Sequence, residues 1–349
     1  MKKNMPAIAL TKRESLILNS LVESYVTNAA PVGSGTLAKK HDLGISPATI
    51  RNVMNDLEDL GYLSQPHVSA GRIPTDKGYR FYVDSLMRIK SLAKRDRNLI
   101  EKNLLKISVD VTDILASASQ VLGKISTQLG VVLEPRFYQG VFEKMQLVSV
   151  SGNRILAVIS IKSGLIKTIM MEIESEVSGE QLHEASQIIN QRLSGLSLKE
   201  VKETIDKRLA GVTTQNDRLI RLIVESSDKL FNFENQKEFH LGGTHNIVSN
   251  PEFLDQKYAS KILQLLESKQ SILHLLSDKQ AEEVSISIGD ENQEEDFTGF
   301  SVITTRYYIG NVTGTLGVVG PTRMQYAEIV PLVDFMGKVL TQTFHTRLS

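Results

Sequence analysis

The chain is expected to be a multidomain α+β protein whose first ninety residues form a winged helix-turn-helix. Three observations predict this. Residues 45–80 read as a capped amphipathic helix, a short polar hairpin and a second helix start. Beyond residue 140, β-type apolar runs come in two groups separated by a stretch of helical period, the arrangement of an α+β body. Finally, 349 residues exceed the roughly 250–300 at which single cores usually stop growing.

The first helix opens at Leu10-Thr11. Thr11 serves as N-cap and Glu14, three residues on, completes a capping box. Leu16, Ile17, Leu21, Val22 and Tyr25 are expected to form its buried face. Pro31 ends the Asn28-Ala29-Ala30 segment by disfavouring helical geometry before it. Ser34 starts a short helix that carries Leu37 and Ala38 inward. The segment from His41 to Ile45 is a turn, with Gly44 able to take positive φ.

Ser46-Pro47 is a strong helix start, an N-cap serine followed by an N1 proline. Ile50, Val53, Leu57 and Leu60 fall on one apolar face. The opposite face offers Ala48, Thr49, Arg51, Asn52 and Asn55. Arg and Asn can form paired hydrogen bonds to guanine and adenine edges, and the methyls of Thr and Ala can meet the thymine methyl. Backbone N–H groups at Ser46 and beyond can receive a phosphate. Gly61-Tyr62 breaks the helix, and 63–73 forms a hairpin bounded by Pro66, Gly71 and Pro74. Gln65, His67, Ser69 and Arg72 can then face the DNA backbone or minor groove. Thr75-Asp76 caps a helix with Tyr79, Tyr82, Val83 and Leu86 inward. Lys77 and Arg80 on that helix are either phosphate contacts or solvated charges.

Residues 90–106 and 111–128 carry helical spacing, either to pair with a second subunit or to pack within the chain. Strands are expected at 145–150, 155–161 and 166–173, and helices across 179–235. More helix follows Ser249-Asn250-Pro251 to near Leu276. Strands at 284–288, 300–309 and 315–319, an acidic loop at 289–296 and a helix at 324–344 complete the chain.

Composition narrows the function classes. Formal net charge is zero, but residues 1–90 hold twelve Lys and Arg against eight Asp and Glu, and the rest 28 against 32. That places a mildly basic end on an acidic body. The absence of cysteine removes disulfides, thiolate nucleophiles and Cys-based metal sites, and suits a reducing cytoplasm. No apolar run approaches a membrane span. The seven histidines lack zinc-ligand spacing, and the closest pair, His240 and His245, has no evident carboxylate partner. Gly33-Ser34-Gly35 lacks the preceding strand of a dinucleotide fingerprint. No Walker loop, nucleophile elbow or His-Glu-x-x-His segment occurs, so neither enzyme activity nor a cofactor is expected.

Several segments resemble one family. Pro31-Val32-Gly33-Ser34, Ser46-Pro47-Ala48-Thr49-Ile50-Arg51-Asn52 and Gln65-Pro66-His67-Val68-Ser69-Ala70-Gly71-Arg72-Ile73-Pro74-Thr75 are similar to the bacterial heat-inducible transcription repressor family HrcA. Leu241-Gly242-Gly243-Thr244 and the run Gly314 to Tyr326 match it too. The resemblance implies a GAF-like α+β domain interrupted by a mostly helical inserted dimerisation domain. The expected division is a DNA-binding head at 1–90, linker helices at 91–130, GAF-like halves at 131–195 and 276–349, and the insertion at 196–275. It further implies a cytoplasmic, nucleoid-associated homodimer on a CIRCE inverted repeat, repressing chaperone operons of the groE and dnaK type and kept active by GroE-type chaperonin. The rival expectations are a regulator answering to a small metabolite and an enzyme with a DNA-binding appendage.

Overall fold

The computed structural model describes residues 10–41, 44–105, 110–173, 177–211, 217–231, 238–249, 256–277, 284–292 and 297–348. Asp42 and Leu43 of the expected turn, Lys106 and Ile107 of the linker, Asn250-Pro251 and the acidic residues 293–296 lie outside the described residues.

The head consists of α1 (Lys12–Asn28), α2 (Ser34–His41), α3 (Pro47–Asp59), the two-residue strands β1 (Leu63–Ser64) and β2 (Ile73–Pro74), and α4 (Asp76–Phe81), which runs into a π-helical turn at Tyr82–Leu86. The Thr11–Glu14 capping box forms, and α1 ends on Ala29 in the left-handed region. The phase of α1 differs slightly from expectation. Leu18 is fully buried, whereas Leu16 is 46% exposed. An apolar stripe three residues wide admits either edge until the packing partner is known.

Next come α5 (Lys94–Leu105), α6 (Val111–Ser126) and β3 (Leu129–Leu133). Ile100 and Leu104 of α5 are buried in the chain's own core, so its apolar stripe is already occupied without a second subunit. The linker expected at 91–130 thus runs straight into a sheet. β3 is buried on both faces and shows no alternation, which made it indistinguishable from the end of a helix.

Strands β4 (Phe142–Ser151), β5 (Arg154–Ile161) and β6 (Ile166–Glu172) form their own antiparallel sheet. Helix α7 (Gly179–Leu193) covers one face, followed by α8 (Leu198–Leu209), α9 (Asp217–Glu225) and α10 (Ser227–Phe231). Asn190 of α7 both donates to the carbonyl and accepts from the N–H of Met145, and the Ser186 hydroxyl accepts from Leu147. These bonds satisfy backbone groups of edge strand β4.

The chain then returns through β7 (Phe239–Gly242), α11 (Thr244–Ser249), α12 (Gln256–Glu267), α13 (Lys269–Ser277), β8 (Ser285–Ile288), β9 (Phe300–Ile309), β10 (Val312–Pro321) and α14 (Tyr326–Leu348). A five-stranded antiparallel sheet, ordered β7-β3-β10-β9-β8, is sandwiched between helices. Val132, Ile303, Leu316 and Val318 join the core of α6 and α14. Leu129, Val131, Phe300, Val302 and Val319 cluster instead with Ile262, Leu265, Ile272 and Leu276 of α12 and α13.

This grouping departs from the expected division at 131–195, 196–275 and 276–349. Among the described residues the strands at 142–172 pair only with one another, while β7, expected in the insertion, is a strand of the larger sheet and α12 and α13 pack against it. Period 2 identifies a strand but is silent on its sheet.

Glu134 sits between the two sheets, 3.6 Å from Lys167 Nζ of β6 and 3.6 Å from His240 Nε2 of β7. Burial pushes its carboxyl up, but the neighbouring His240 and Lys167 outweigh that and hold it below its ordinary value. A depressed carboxyl stabilises the fold above its unfolded pKa, and that contribution is lost as pH falls through the folded value, here below 4.5. Glu134→Gln is therefore expected to lose about 1–2 kcal/mol at pH 7. Denaturant unfolding should show the difference shrinking as pH falls below 4.5, and a pH-independent difference would contradict the assignment.

Candidate nucleic-acid interface

Ser46 caps α3, its hydroxyl accepting the Thr49 N–H at 3.1 Å and lying 3.0 Å from the Thr49 hydroxyl. Inside the head, Ile50, Leu57, Met54 and Val53 are buried. On the opposite side Ser46, Ala48, Arg51, Asn52 and Asn55 are exposed, and Thr49 is half-buried. The helix thus presents a convex polar surface with two amide side chains and one guanidinium at helical spacing, the chemistry needed for reading base edges in a major groove.

The wing is bound to this helix. Arg72, whose side chain is only 15% exposed, places Nε 2.7 Å from Glu58 Oε2 and donates Nη2 to Asn55 Oδ1 at 3.0 Å. Its backbone exchanges two 2.9 Å hydrogen bonds with Val32, so the segment before α2 adds a third strand-like edge. A Cβ at Gly71 would overlap the Val32 backbone. Arg72 therefore orients the wing and Asn55, a use beyond the groove contact expected of it.

At the wing tip, Gln65 Nε2 donates to the carbonyls of Val68 at 3.0 Å and Ala70 at 2.9 Å, closing the loop from inside. His67 and Ser69 are exposed on that loop. Lys77 donates to the Leu60 carbonyl at 2.7 Å and lies 4.4 Å from the centre of the Tyr62 ring. It thereby caps the C-terminal end of α3, where a cation is favoured. Thr75 caps α4 and also donates to the Gly61 carbonyl at 2.7 Å. The expected set thus divides. Ser46, Ala48, Arg51, Asn52, His67 and Ser69 lie outward, while Thr49, Asn55, Gln65, Arg72 and Lys77 are engaged in building the surface.

Sequence reasoning missed three groups here. Val68 is 100% exposed at the wing tip, an apolar group placed among polar ones. Lys39 and Lys40 are exposed on α2, the helix that precedes α3 in the motif. Their adjacency near the end of the short helix was the available signal. No cluster of three or more potential metal ligands occurs among the described residues. No described helix is long and apolar enough to cross a membrane.

Two family models match this chain. One, described as "Winged helix-turn-helix transcription repressor, HrcA DNA-binding", covers residues 9–85. The other, "HrcA protein C terminal domain", covers residues 112–330. A "Heat-inducible transcription repressor HrcA" from Chlorobium phaeobacteroides (strain BS1) is 44% identical over 96% of this chain and 98% of its own length. Proteins of the same name from Prosthecochloris aestuarii and Geobacter sulfurreducens are 42% and 37% identical, covering 97% and 95% of this chain and 99% and 98% of their own. Among solved structures, one described only as a hypothetical protein aligns with TM-score 0.63 at 22% identity, over 97% of this chain and 100% of that one, and shares the fold.

Proposed function

This chain belongs to the HrcA family, and from that premise we propose that it is a dimeric, sequence-specific repressor of heat-shock chaperone operons of the groE and dnaK type. The family is one of transcription repressors, not of enzymes. The observation that carries the reading is the two-sidedness of α3, with Ile50, Met54 and Leu57 interior and Ala48, Arg51, Asn52 and Asn55 outward. Each head lays α3 in the major groove of one half of a CIRCE-type inverted repeat, and the wing carrying His67, Val68 and Ser69 meets the adjacent backbone or minor groove. Ser46 and Thr49 hold the helix N-terminus towards phosphate, with Lys39 and Lys40 adding charge. Repression follows from occlusion of the promoter, in the cytoplasm and on the nucleoid. GroE-type chaperonin keeps the protein in its binding-competent fold, and misfolded protein during heat shock draws the chaperonin away. The test is a gel-shift on the inverted repeat and a scrambled control, with and without chaperonin, before and after brief heating. Equal affinity for the two DNAs sinks the reading.

In this reading the five-stranded sheet with α6, α12, α13 and α14 is the GAF-like domain, and the segment from about residue 137 to 231 is the inserted dimerisation domain. What supports the dimer role is the uncovered face of the three-stranded sheet. Val148 pairs across to Leu156 and Leu156 to Met170 on one outward face, and Ile166 lies on the same face of β6 as Met170. Val148, Val150, Ile166 and Met170 are 43–61% exposed there, large apolar side chains on one sheet face that a partner surface would cover. A two-fold interface places the same patch on both copies. Met170→Lys with Ile166→Lys is expected to weaken dimerisation at least roughly 100-fold, because unpaired charges resist desolvation. Sedimentation should then report monomers, with binding to a single half-site retained. A variant that stays dimeric would exclude this face.

A further inference from the structure

The head meets the body through an apolar contact, Tyr79 of α4 against Tyr326 with ring centres 6.0 Å apart, and through directed polar contacts around it. Arg80, in the last turn of α4, donates Nε to Glu291 Oε1 at 2.8 Å and Nη2 to Glu291 Oε2, a paired fork on one carboxylate. Nη2 also donates to the Ile286 carbonyl at 2.8 Å, and Nη1 to Asp84 at 3.1 Å. One turn earlier on α4, Asp76 accepts the N–H of Asp290 at 3.2 Å. Gly289 has φ of 53°, and a Cβ there would land on the Asp76 carboxylate.

The receiving turn is built for this. Glu291 is itself held by the Ile288 N–H at 2.9 Å. Asn292 donates to the carbonyls of Gly289 at 3.0 Å and Phe300 at 2.8 Å, and accepts from Ser287 at 2.6 Å. Elsewhere the junction is tethered at two residues, Arg323 to the Val26 carbonyl at 2.7 Å, and Lys90 by its N–H to the Ala327 carbonyl at 3.0 Å and by Nζ to Glu328 at 2.9 Å. Between those two tethers lies a cleft of about 750 Å³ lined by Val26, Lys90, Arg323 and Glu328 among others. Apolar packing such as Tyr79 on Tyr326 holds the two parts together without fixing a direction, so beside an open cleft the head's angle depends on the polar groups that reach across. The Arg80–Glu291 pair is partly exposed, with side chains 28% and 40% accessible, so its effect on global stability is small. Its fork geometry, by contrast, restricts direction strongly.

We infer that Asp76, Arg80 and Glu291 form a latch that fixes the angle of the DNA-reading head on the body. The latch thereby sets which separation of half-sites the dimer accepts. This rests on the dimer and inverted-repeat reading above. Each base pair added between half-sites turns the second by about 34–36° and moves it about 3.4 Å. Rigidly held heads can meet only one such arrangement, whereas heads on a loose junction meet several. None of the three residues is needed to read a base. They are positioning residues.

The test measures binding of the full-length protein to inverted repeats with the natural spacer, with spacers changed by one to three base pairs, and to a single half-site. Arg80→Ala and Glu291→Gln are each expected to shrink the discrimination between natural and altered spacers at least about tenfold, leaving half-site affinity within about threefold. Arg80→Ala removes a positive charge and Glu291→Gln a negative one, so a shared relaxation of spacing cannot come from net charge. The double variant should relax no further than the single ones, as expected for one interaction. Circular dichroism and thermal unfolding confirm that each variant is folded, and Arg80→Lys replaces Arg80→Ala if it is not. Unchanged discrimination in both variants overturns the latch, as does an equal loss on every DNA, the half-site included. A wild-type protein that binds the repeat no better than the half-site instead overturns the dimer reading, and the latch with it.

Discussion

Gly242→Ala is expected to lower the melting temperature by roughly 6–12 °C, the equivalent of about 3 kcal/mol. Gly242 closes β7 where that strand passes under α6, and a Cβ there would overlap the carbonyl of Ser119 and the N–H of Gln120. The contact is reciprocal, since a Cβ at Gly123 of α6 would overlap the Gly242–Gly243 peptide. Both partners are backbone, so no side-chain rotation can relieve the overlap. Gly243 follows at φ of 75°, and Asn246 ties the same corner together by donating to the carbonyls of Gly123 at 2.8 Å and Gln128 at 3.1 Å. The Leu241-Gly242-Gly243-Thr244 segment is thus a close-packing device where helix and sheet backbones touch. Gly35→Ala is the control, because a Cβ there meets nothing within 4 Å and Gly35 is exposed within α2. It should leave stability unchanged or raise it by up to about 1 kcal/mol. Thermal unfolding of Gly242→Ala within 2 °C of wild type would refute the packing argument.

Arg51→Ala is expected to weaken operator binding by about 1–3 kcal/mol, roughly 5–150-fold, and to relax selectivity at one base pair. Its guanidinium is exposed on α3, so the same substitution should leave thermal stability within about 0.5 kcal/mol of wild type. Arg72→Ala makes the informative contrast. Arg72 joins Glu58 and Asn55, so its removal frees the wing and the Asn55 amide together. Its loss should lower both stability and affinity, with any loss of selectivity falling at the base pair that Asn55 meets and not at the one Arg51 meets. Competition binding against a set of singly substituted operators separates the two patterns. Equal loss on operator and scrambled DNA for Arg51→Ala would defeat its base-reading role.

The head was the most legible part of the chain because its signals are local. Thr11 with Glu14, Ser46 with Pro47, and Thr75 each act within one helical turn, and each cap forms as expected. Illegible were the uses of Arg72, Lys77 and Arg80. A cation on a polar face looks the same whether it faces water, phosphate or a carboxylate on another segment. Arg80 finds Glu291 across 211 residues, and Lys77 finds a backbone carbonyl that no side-chain pattern records.

From its order of residues alone, this chain determined where helices start, which flank of α3 is apolar, and that no thiol chemistry is available. Those properties depend on caps, on periods of 2 and 3.6, and on composition, all of which act over a few residues. Tertiary structure alone decided that the strands at 142–172 stand apart, that β7 lies beside β3, and that a glycine corner lets α6 touch the sheet. It also turned Arg80 towards the body. The physical reason is that periodicity shows a face must be buried without naming what buries it, and long-range hydrogen bonding and backbone contact choose the partner.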